Sequence, residues 1–129
     1  MKNVAIIQNL GPMLGRVLIG ILFVVAGVNK IMNTEGTMAY MEAHGLPVVI
    51  FLLVVTIIIE LLGGLMIAFG WYARFSAIVI FLFLIPVTLV FHPITDPEEI
   101  NQLLKNLAIM GGLLYVATYG PGNYSFNKE

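Results

Sequence analysis

A carboxylate and a guanidinium lie inside long apolar stretches of this sequence, Glu60 in one and Arg16 in another. A charge in hydrocarbon costs about 2.5–3.5 kcal/mol on insertion scales, so each group needs a partner or a function. At 1.5 Å per residue, Glu60 lies about 13 Å and Arg16 about 6 Å from the same end of their helices. An extended arginine side chain spans that difference, so we expect Arg16 and Glu60 to pair or to share a polar network in the cytoplasmic half of the membrane. The pair either holds the helices together or makes Glu60 a proton-handling carboxylate.

Small residues accompany both charges. Intervals of three and four place five residues of the first apolar stretch on one helical face. They are Arg16, Gly20, Phe23, Gly27 and Lys30. Glu60 stands one turn before Gly63 and Gly64, and glycines permit close approach of helices in a membrane. These faces are expected to pack against other helices, while the Leu-, Ile- and Val-rich faces meet lipid.

A second group of polar residues is expected at the opposite end of the helices, near the outer membrane surface. Its members are Lys30, His92, Lys105 and Asn106. Such a cluster could hold an anion or donate hydrogen bonds to a quinone carbonyl. Alternatively, the two lysines extend to the lipid headgroups or pair with nearby carboxylates, and the cluster has no ligand.

The residues that could hold a metal or a covalent redox centre are scarce. The sequence contains no cysteine, which excludes disulfides, thiol chemistry, thiolate zinc sites and iron–sulfur clusters formed by this chain alone. The two histidines, His44 and His92, have no metal-ligand spacing. No metal and no covalently bound cofactor are therefore expected, and a quinone is the candidate ligand.

The composition indicates an integral membrane protein. Of the 129 residues, 60% are hydrophobic and 10% are charged, the net charge is −1, and the mean hydropathy is +1.00. A soluble globule of this length cannot bury so much apolar surface, and no basic block suits nucleic acid. Four membrane-spanning helices of about 20 residues each would account for the apolar content.

The elements that position these residues follow from proline, glycine and capping signals. We predict an all-α, antiparallel four-helix membrane bundle of up-down topology, forming one domain over residues 1–129. Its spans are 12–32, 47–69, 74–91 and 101–119, the last capped by Asp96 and Pro97. A short interfacial helix is expected over residues 34–45. The first span is followed by Asn-Lys rather than by a cleavage site, so it is expected to be retained.

The distribution of lysine and arginine sets the expected orientation. One side holds Lys2, Arg16, Arg74 and Lys128, whereas the other holds Lys30 and Lys105. Both termini are therefore predicted to be cytoplasmic, in a multi-pass protein of the inner (plasma) membrane.

These features together resemble the DoxX family, over about residues 14–126. The residues that carry the resemblance are Arg16, Gly27, Asn29, Lys30, Glu60, Gly63, Gly64, Gly70, Arg74, His92, Lys105, Asn106, Gly111 and Gly112, with the ending 120–125. The resemblance implies a small four-helix membrane protein. The family takes its name from a subunit of a thiosulfate:quinone oxidoreductase, and other members are associated with thiol or oxidative-stress complexes of the respiratory membrane.

Three functions remain open at this point. The first is a membrane subunit of a quinone-linked oxidoreductase, at most accessory to catalysis, whose electrons come from a soluble or membrane-bound redox partner. The second is a small permease or solute-binding protein, in which Glu60 couples transport and a homo-oligomer completes the path. The third is a non-catalytic scaffold in the bilayer, in which every polar residue is structural.

Overall fold

The computed structural model describes residues 2–127, and within this range the chain forms helices and no strand. The five α-helices are α1 (Lys2–Met32), α2 (Thr34–Ala43), α3 (Val49–Phe69), α4 (Ala73–Phe91) and α5 (Ile100–Tyr119). A 3-10 turn, Pro97–Glu99, precedes α5. Lys128, which contributed to the predicted orientation, lies outside the described residues.

Helix α1 differs most from its predicted bounds. It begins at Lys2 and continues through Pro12, so the prediction that Pro12 starts the helix is wrong. Proline removes one backbone hydrogen bond from a helix. Here the carbonyl left free lies in the exposed segment 2–8, where water or headgroups can satisfy it. The 31 residues of α1 are about 46 Å long, which exceeds the roughly 30 Å hydrocarbon core.

The other helices end where their capping residues predict. Gly70 closes α3 with a φ of +72°, and its N–H donates to the carbonyl of Ile67, as expected of a glycine C-cap. Helix α4 ends immediately before His92. The Asp96 carboxylate accepts from the N–H of Glu98 at 3.0 Å, which confirms Asp96 as a cap, although the turn it caps is 3-10 before α5 begins.

Consecutive long helices pack side by side in antiparallel pairs. Gly20 and Gly27 of α1 face Gly64 and Leu61 of α3, respectively. The hydroxyl of Ser76 joins α4 to α3 by donating to the carbonyl of Gly63 at 2.8 Å. Helix α5 packs mainly against α4. The apolar core between these helices consists of Phe23, Ile67, Ala73, Ala77, Ile80, Leu84, Leu113 and Val116.

Three of the helices, α1, α3 and α4, are long and apolar enough to cross a membrane. Apolar side chains such as Leu18, Phe51 and Leu82 are exposed along the outward faces of these helices. Polar side chains such as Arg16 and Glu60 are buried. This inside-out distribution is the one expected of a protein whose surroundings are hydrocarbon.

The tight α1–α3 contact predicts opposite effects for two glycines of the same helix. A Cβ at Gly20 would lie 2.6 Å from the carbonyl oxygen of Gly64 and 2.7 Å from the Cβ of Ala68, whereas a Cβ at Gly11 meets nothing within 4 Å. We expect Gly20→Ala to destabilise the protein by about 1–3 kcal/mol through overpacking. Gly11→Ala should stabilise it slightly, because alanine is the better helix former. Thermal unfolding in detergent measures both, and equal Tm values would contradict the close contact.

A candidate ligand cavity beside His92

Arg16 does not pair with Glu60; that prediction is wrong. Arg16 is 1% exposed, and its Nη1 donates to the carbonyl oxygens of Ile67 at 3.2 Å and Ala68 at 3.1 Å. Its Nη2 donates to the carbonyl oxygen of Tyr124. The last carbonyls of a helix lack intrahelical partners and form the negative end of its dipole. The guanidinium therefore acts as a cap for α3.

The start of α1 explains the error. The predicted pairing assumed that α1 begins at Pro12, level with the end of α3. In the structure α1 continues to Lys2, and its register against α3 places Gly20 beside Gly64 and Ala68. Arg16, one turn before Gly20, is thereby level with the end of α3 and far from its middle, where Glu60 is located.

The segment after α5, residues 120–127, completes the surroundings of Arg16. The N–H groups of Phe126 and Asn127 donate to the carbonyls of Phe69 and Gly70, both at 3.2 Å. The Phe126 ring stacks on Phe69 with centroids 5.6 Å apart. These contacts hold the carbonyl of Tyr124 against the guanidinium. We call this end of the helices the Arg16 end and the opposite end the His92 end.

Glu60 forms its ion pair with Lys30 instead. The Nζ of Lys30 lies 2.9 Å from Oε1 of Glu60, and the side chains are 28% and 8% exposed, respectively. Lys30 belongs to the last turn of α1. The sequence had placed Lys30 with the residues near the membrane surface, but its long side chain points toward the middle of α3.

The Lys30–Glu60 pair lines a cavity of about 190 Å³. Helix α2 lies over this cavity, and α1, α3 and α4 contribute its other walls. The lining residues are Lys30, Thr37, Tyr40, Met41, Thr56, Glu60, Phe83, Val87, Phe91 and His92. We call it the His92 cavity.

Of the four residues predicted to bind a ligand, the structure brings Lys30 and His92 together. Lys105 is exposed, and Asn106 is buried, where its amide donates to the hydroxyl of Thr88 at 3.1 Å; neither lines the cavity. Only one side of α5 packs against the other helices. That face carries Asn106, Leu113 and Val116, which leaves Lys105 directed outward.

His92 is held in place by a second carboxylate. Its Nδ1 lies 2.6 Å from Oε2 of Glu99, in the 3-10 turn before α5. Because the next residue is a proline, α4 cannot readily continue past His92. The turn at residues 93–96 then brings Glu99 back to the imidazole. With Nδ1 engaged by Glu99, the other ring nitrogen is the one that a ligand in the cavity could contact.

The sequence analysis missed Tyr40 as a residue of this site. Its ring stacks on Phe91 with centroids 5.2 Å apart, and His44 contacts the same phenylalanine ring at 4.8 Å. Burial and the nearby Glu99 carboxylate raise the pKa of the Tyr40 phenol, so this group stays protonated and can donate a hydrogen bond. The predicted short helix over 34–45 did include Tyr40; what sequence could not provide was its position over the ends of α3 and α4.

The cavity therefore combines donors with one carboxylate inside apolar walls. Lys30, Tyr40 and His92 can each donate a hydrogen bond, and Glu60 can accept one. Aromatic rings from Phe83 and Phe91 form flat apolar surfaces beside them. Within residues 2–127 no group of three metal-ligating side chains is found. This arrangement suits an organic molecule that carries hydrogen-bond acceptors on a flat ring.

The contacts of Arg16 predict a large loss of stability when its donors are removed. Hydrogen bonds to charged groups contribute about 1.5–3 kcal/mol each, and Arg16 makes three to buried or half-buried carbonyls. We expect Arg16→Gln to destabilise the protein by about 3 kcal/mol or more in detergent unfolding. Lys105→Gln removes the same charge from an exposed side chain and should change Tm little; a similar loss in both variants would refute the capping role.

Comparison with known proteins identifies relatives of this chain. The sequence profile of the DoxX family matches residues 11–93. The chain is 40% identical over 124 residues to the inner membrane protein YqjF of Escherichia coli (strain K12), covering 95% of this chain and 93% of YqjF. It is 25% identical over 124 residues to the inner membrane protein YphA of the same organism, covering 91% and 88%.

A third relative bears a name that refers to chemistry. Over 77 residues the chain is 38% identical to the "Putative oxidoreductase CatD" of Bacillus subtilis (strain 168), which covers 60% of this chain and 56% of CatD. No solved structure matches the chain significantly. The family profile spans well over half of the chain, and the YqjF match extends over nearly all of it. The protein is a membrane protein of the DoxX family.

Proposed function

We propose that the protein is a membrane subunit of a quinone-linked redox system and that the His92 cavity binds the quinone ring. The observation that carries this proposal is the grouping of Lys30, His92 and Tyr40 around one partly open, mainly apolar cavity that also contains Glu60. Quinones need hydrogen-bond donors at their carbonyls and flat apolar surfaces at their ring, and the cavity offers both.

The size of the cavity favours a ring with its tail outside. At about 190 Å³ it is smaller than the roughly 300–1,000 Å³ of pockets that enclose a whole drug-sized ligand. An isoprenoid tail would leave the cavity and lie in the bilayer, along the exposed apolar faces of the helices. A ligand of this kind would need no large opening to water.

Reduction of a bound quinone requires two electrons and two protons. The chain contains no cysteine, so we assign electron delivery to a partner redox protein. The protons arrive at the two carbonyl oxygens from donors that line the cavity, with His92 and Tyr40 as the nearest to the membrane surface. Glu99, which contacts His92 at 2.6 Å, orients the imidazole, and a proton from water at the membrane surface replaces the one that is transferred. The name of CatD, "Putative oxidoreductase", supports the same class of activity.

We further propose that α5 is a fourth membrane span, which completes an up-down four-helix bundle with both termini in the cytoplasm. Its 20 residues are about 30 Å long, and it packs against α4 through Asn106 and Leu113 while Leu107 and Leu114 are exposed. The Arg16 end then faces the cytoplasm, because Lys2, Arg16 and Arg74 are located there. The His92 cavity lies toward the outer surface.

Two variants separate a quinone site from a structural cluster. Loss of one hydrogen bond of about 1.5 kcal/mol weakens binding about tenfold. We therefore expect His92→Ala to raise the Kd for a short-chain benzoquinone about tenfold in calorimetric titration of the detergent-solubilised protein. Lys105→Ala, which removes a basic side chain outside the cavity, should leave the Kd unchanged. Equal affinity in His92→Ala and the parent protein would end the assignment and favour the scaffold role.

The absence of cysteine makes the topology directly measurable. Lys2→Cys and Glu98→Cys each introduce the sole thiol of the chain at an exposed position at opposite ends of the helices. With four spans, a membrane-impermeant maleimide should label Glu98→Cys in intact cells and Lys2→Cys only after lysis. Labelling of Lys2→Cys in intact cells would contradict the orientation. The thiol of Asn123→Cys follows α5 and should likewise be labelled only after lysis. Labelling of this variant in intact cells would show that α5 does not cross the membrane.

A further inference from the structure

A second and larger cavity lies between α1 and α5 at the Arg16 end. Its volume is about 420 Å³, and it is open on one side. The lining residues are Pro12, Gly15, Arg16, Ile19, Gly112, Tyr115, Val116, Tyr119, Gly120 and Gly122. We call it the α1–α5 cleft. It shares no residue with the His92 cavity.

The cleft exists because glycines occupy positions where side chains would otherwise close it. A Cβ at Gly15 would meet nothing within 4 Å, and a Cβ at Gly112 would contact only Cδ1 of Ile19, at 3.2 Å. Helices α1 and α5 therefore run beside each other with space between them. Well-packed proteins leave few voids of this size, so in a bilayer this space is filled from outside the chain.

Arg16 supplies a positive charge at one wall of the otherwise apolar cleft. The hydrogen bonds of its Nη atoms go to neutral carbonyl oxygens. Its Nε is buried and has no hydrogen-bond partner within the described residues. A buried donor without an acceptor is costly, and an anionic group in the cleft beside the guanidinium would offset part of that cost.

The charges of the chain favour an anionic ligand here. The carboxylates within residues 2–127 are located toward the His92 end or at Glu60, and they are Glu35, Glu42, Glu60, Asp96, Glu98 and Glu99. The Arg16 end carries Lys2, Arg16 and Arg74. Basic pockets between membrane helices on the cytoplasmic side attract acidic lipid headgroups.

We propose that the α1–α5 cleft binds an acidic phospholipid, with one acyl chain between the two helices and the phosphate beside Arg16. Apolar walls and open space suit the acyl chain, while the buried guanidinium suits the phosphate. A second copy of the protein fits the cleft poorly. A helix is about 10 Å wide with a 5.4 Å pitch, so a cleft of this volume accommodates about one helical turn.

The test compares lipid headgroups and one cleft-filling variant by native mass spectrometry. Protein purified in detergent is titrated with phosphatidylglycerol or with phosphatidylcholine of the same acyl chains. We expect one tightly bound phosphatidylglycerol, with an affinity at least fivefold above that for phosphatidylcholine. Gly15→Leu places a side chain in the cleft and should weaken phosphatidylglycerol binding at least tenfold, since excluding two methylene groups already corresponds to about that factor.

Gly111→Leu is the matched control. It makes the same change at a glycine of α5 that also has open space around it but does not line the cleft. Its lipid affinity should equal that of the parent protein. Equal affinities for the two headgroups, or equal weakening in both glycine variants, would overturn the proposal. Loss of a dimer rather than of a lipid adduct in Gly15→Leu would assign the cleft to a second copy instead.

The two proposed sites can fail independently. Gly15→Leu should leave the benzoquinone affinity of the His92 cavity unchanged, because the two cavities share no lining residue. Competition between phosphatidylglycerol and the benzoquinone for the α1–α5 cleft would overturn the lipid assignment and move the quinone site to this end.

Discussion

In hydrocarbon a polar group must find its partner inside the protein, and the α1–α3 contact is where this chain meets that constraint. Apolar surfaces gain little by meeting each other in lipid, so close packing and internal hydrogen bonds hold the helices together. Gly20 and Gly64 let the two backbones approach. That approach brings Arg16 to the end of α3 and Lys30 to Glu60. The contacts of Arg16 and of Lys30 therefore both depend on the glycine contact that lies between these two residues of α1.

The two ends of this contact differ in the role of their charged side chains. At the Arg16 end, the guanidinium joins α1, α3 and the segment 120–127, and its hydrogen bonds are structural. At the His92 end, the Lys30–Glu60 pair lines a cavity under α2 and contributes charge to a space that a ligand can enter. Similar residue types thus act through helix-capping hydrogen bonds in one place and through an ion pair in the other.

Sequence alone predicted the helices well, because proline, glycine and Asp96 act locally. The C-terminal ends of α3 and α4 could be predicted from Gly70 and His92 alone. Which charged side chains pair was harder to predict, since the pairing depends on how far one helix is displaced along another. Pro12 was predicted to start α1, and the alignment of α1 with α3 that followed paired Glu60 with Arg16 instead of Lys30. Tyr40 was missed for a related reason: the position of α2 over the cavity is set by tertiary packing that no local pattern encodes.

The partners of Arg16 are widely separated along the chain, and this has a consequence for biogenesis. The acceptors on α3 follow Arg16 by 51 and 52 residues, and the acceptor in the final segment follows by 108. A ribosome supplies α1 first, so its guanidinium enters the membrane before any of these carbonyls exists. The nascent first helix must keep this group at the interface until α3 is inserted. The last acceptor arrives only after α5 has been synthesised, which makes the segment 120–127 the final contribution to burying the charge.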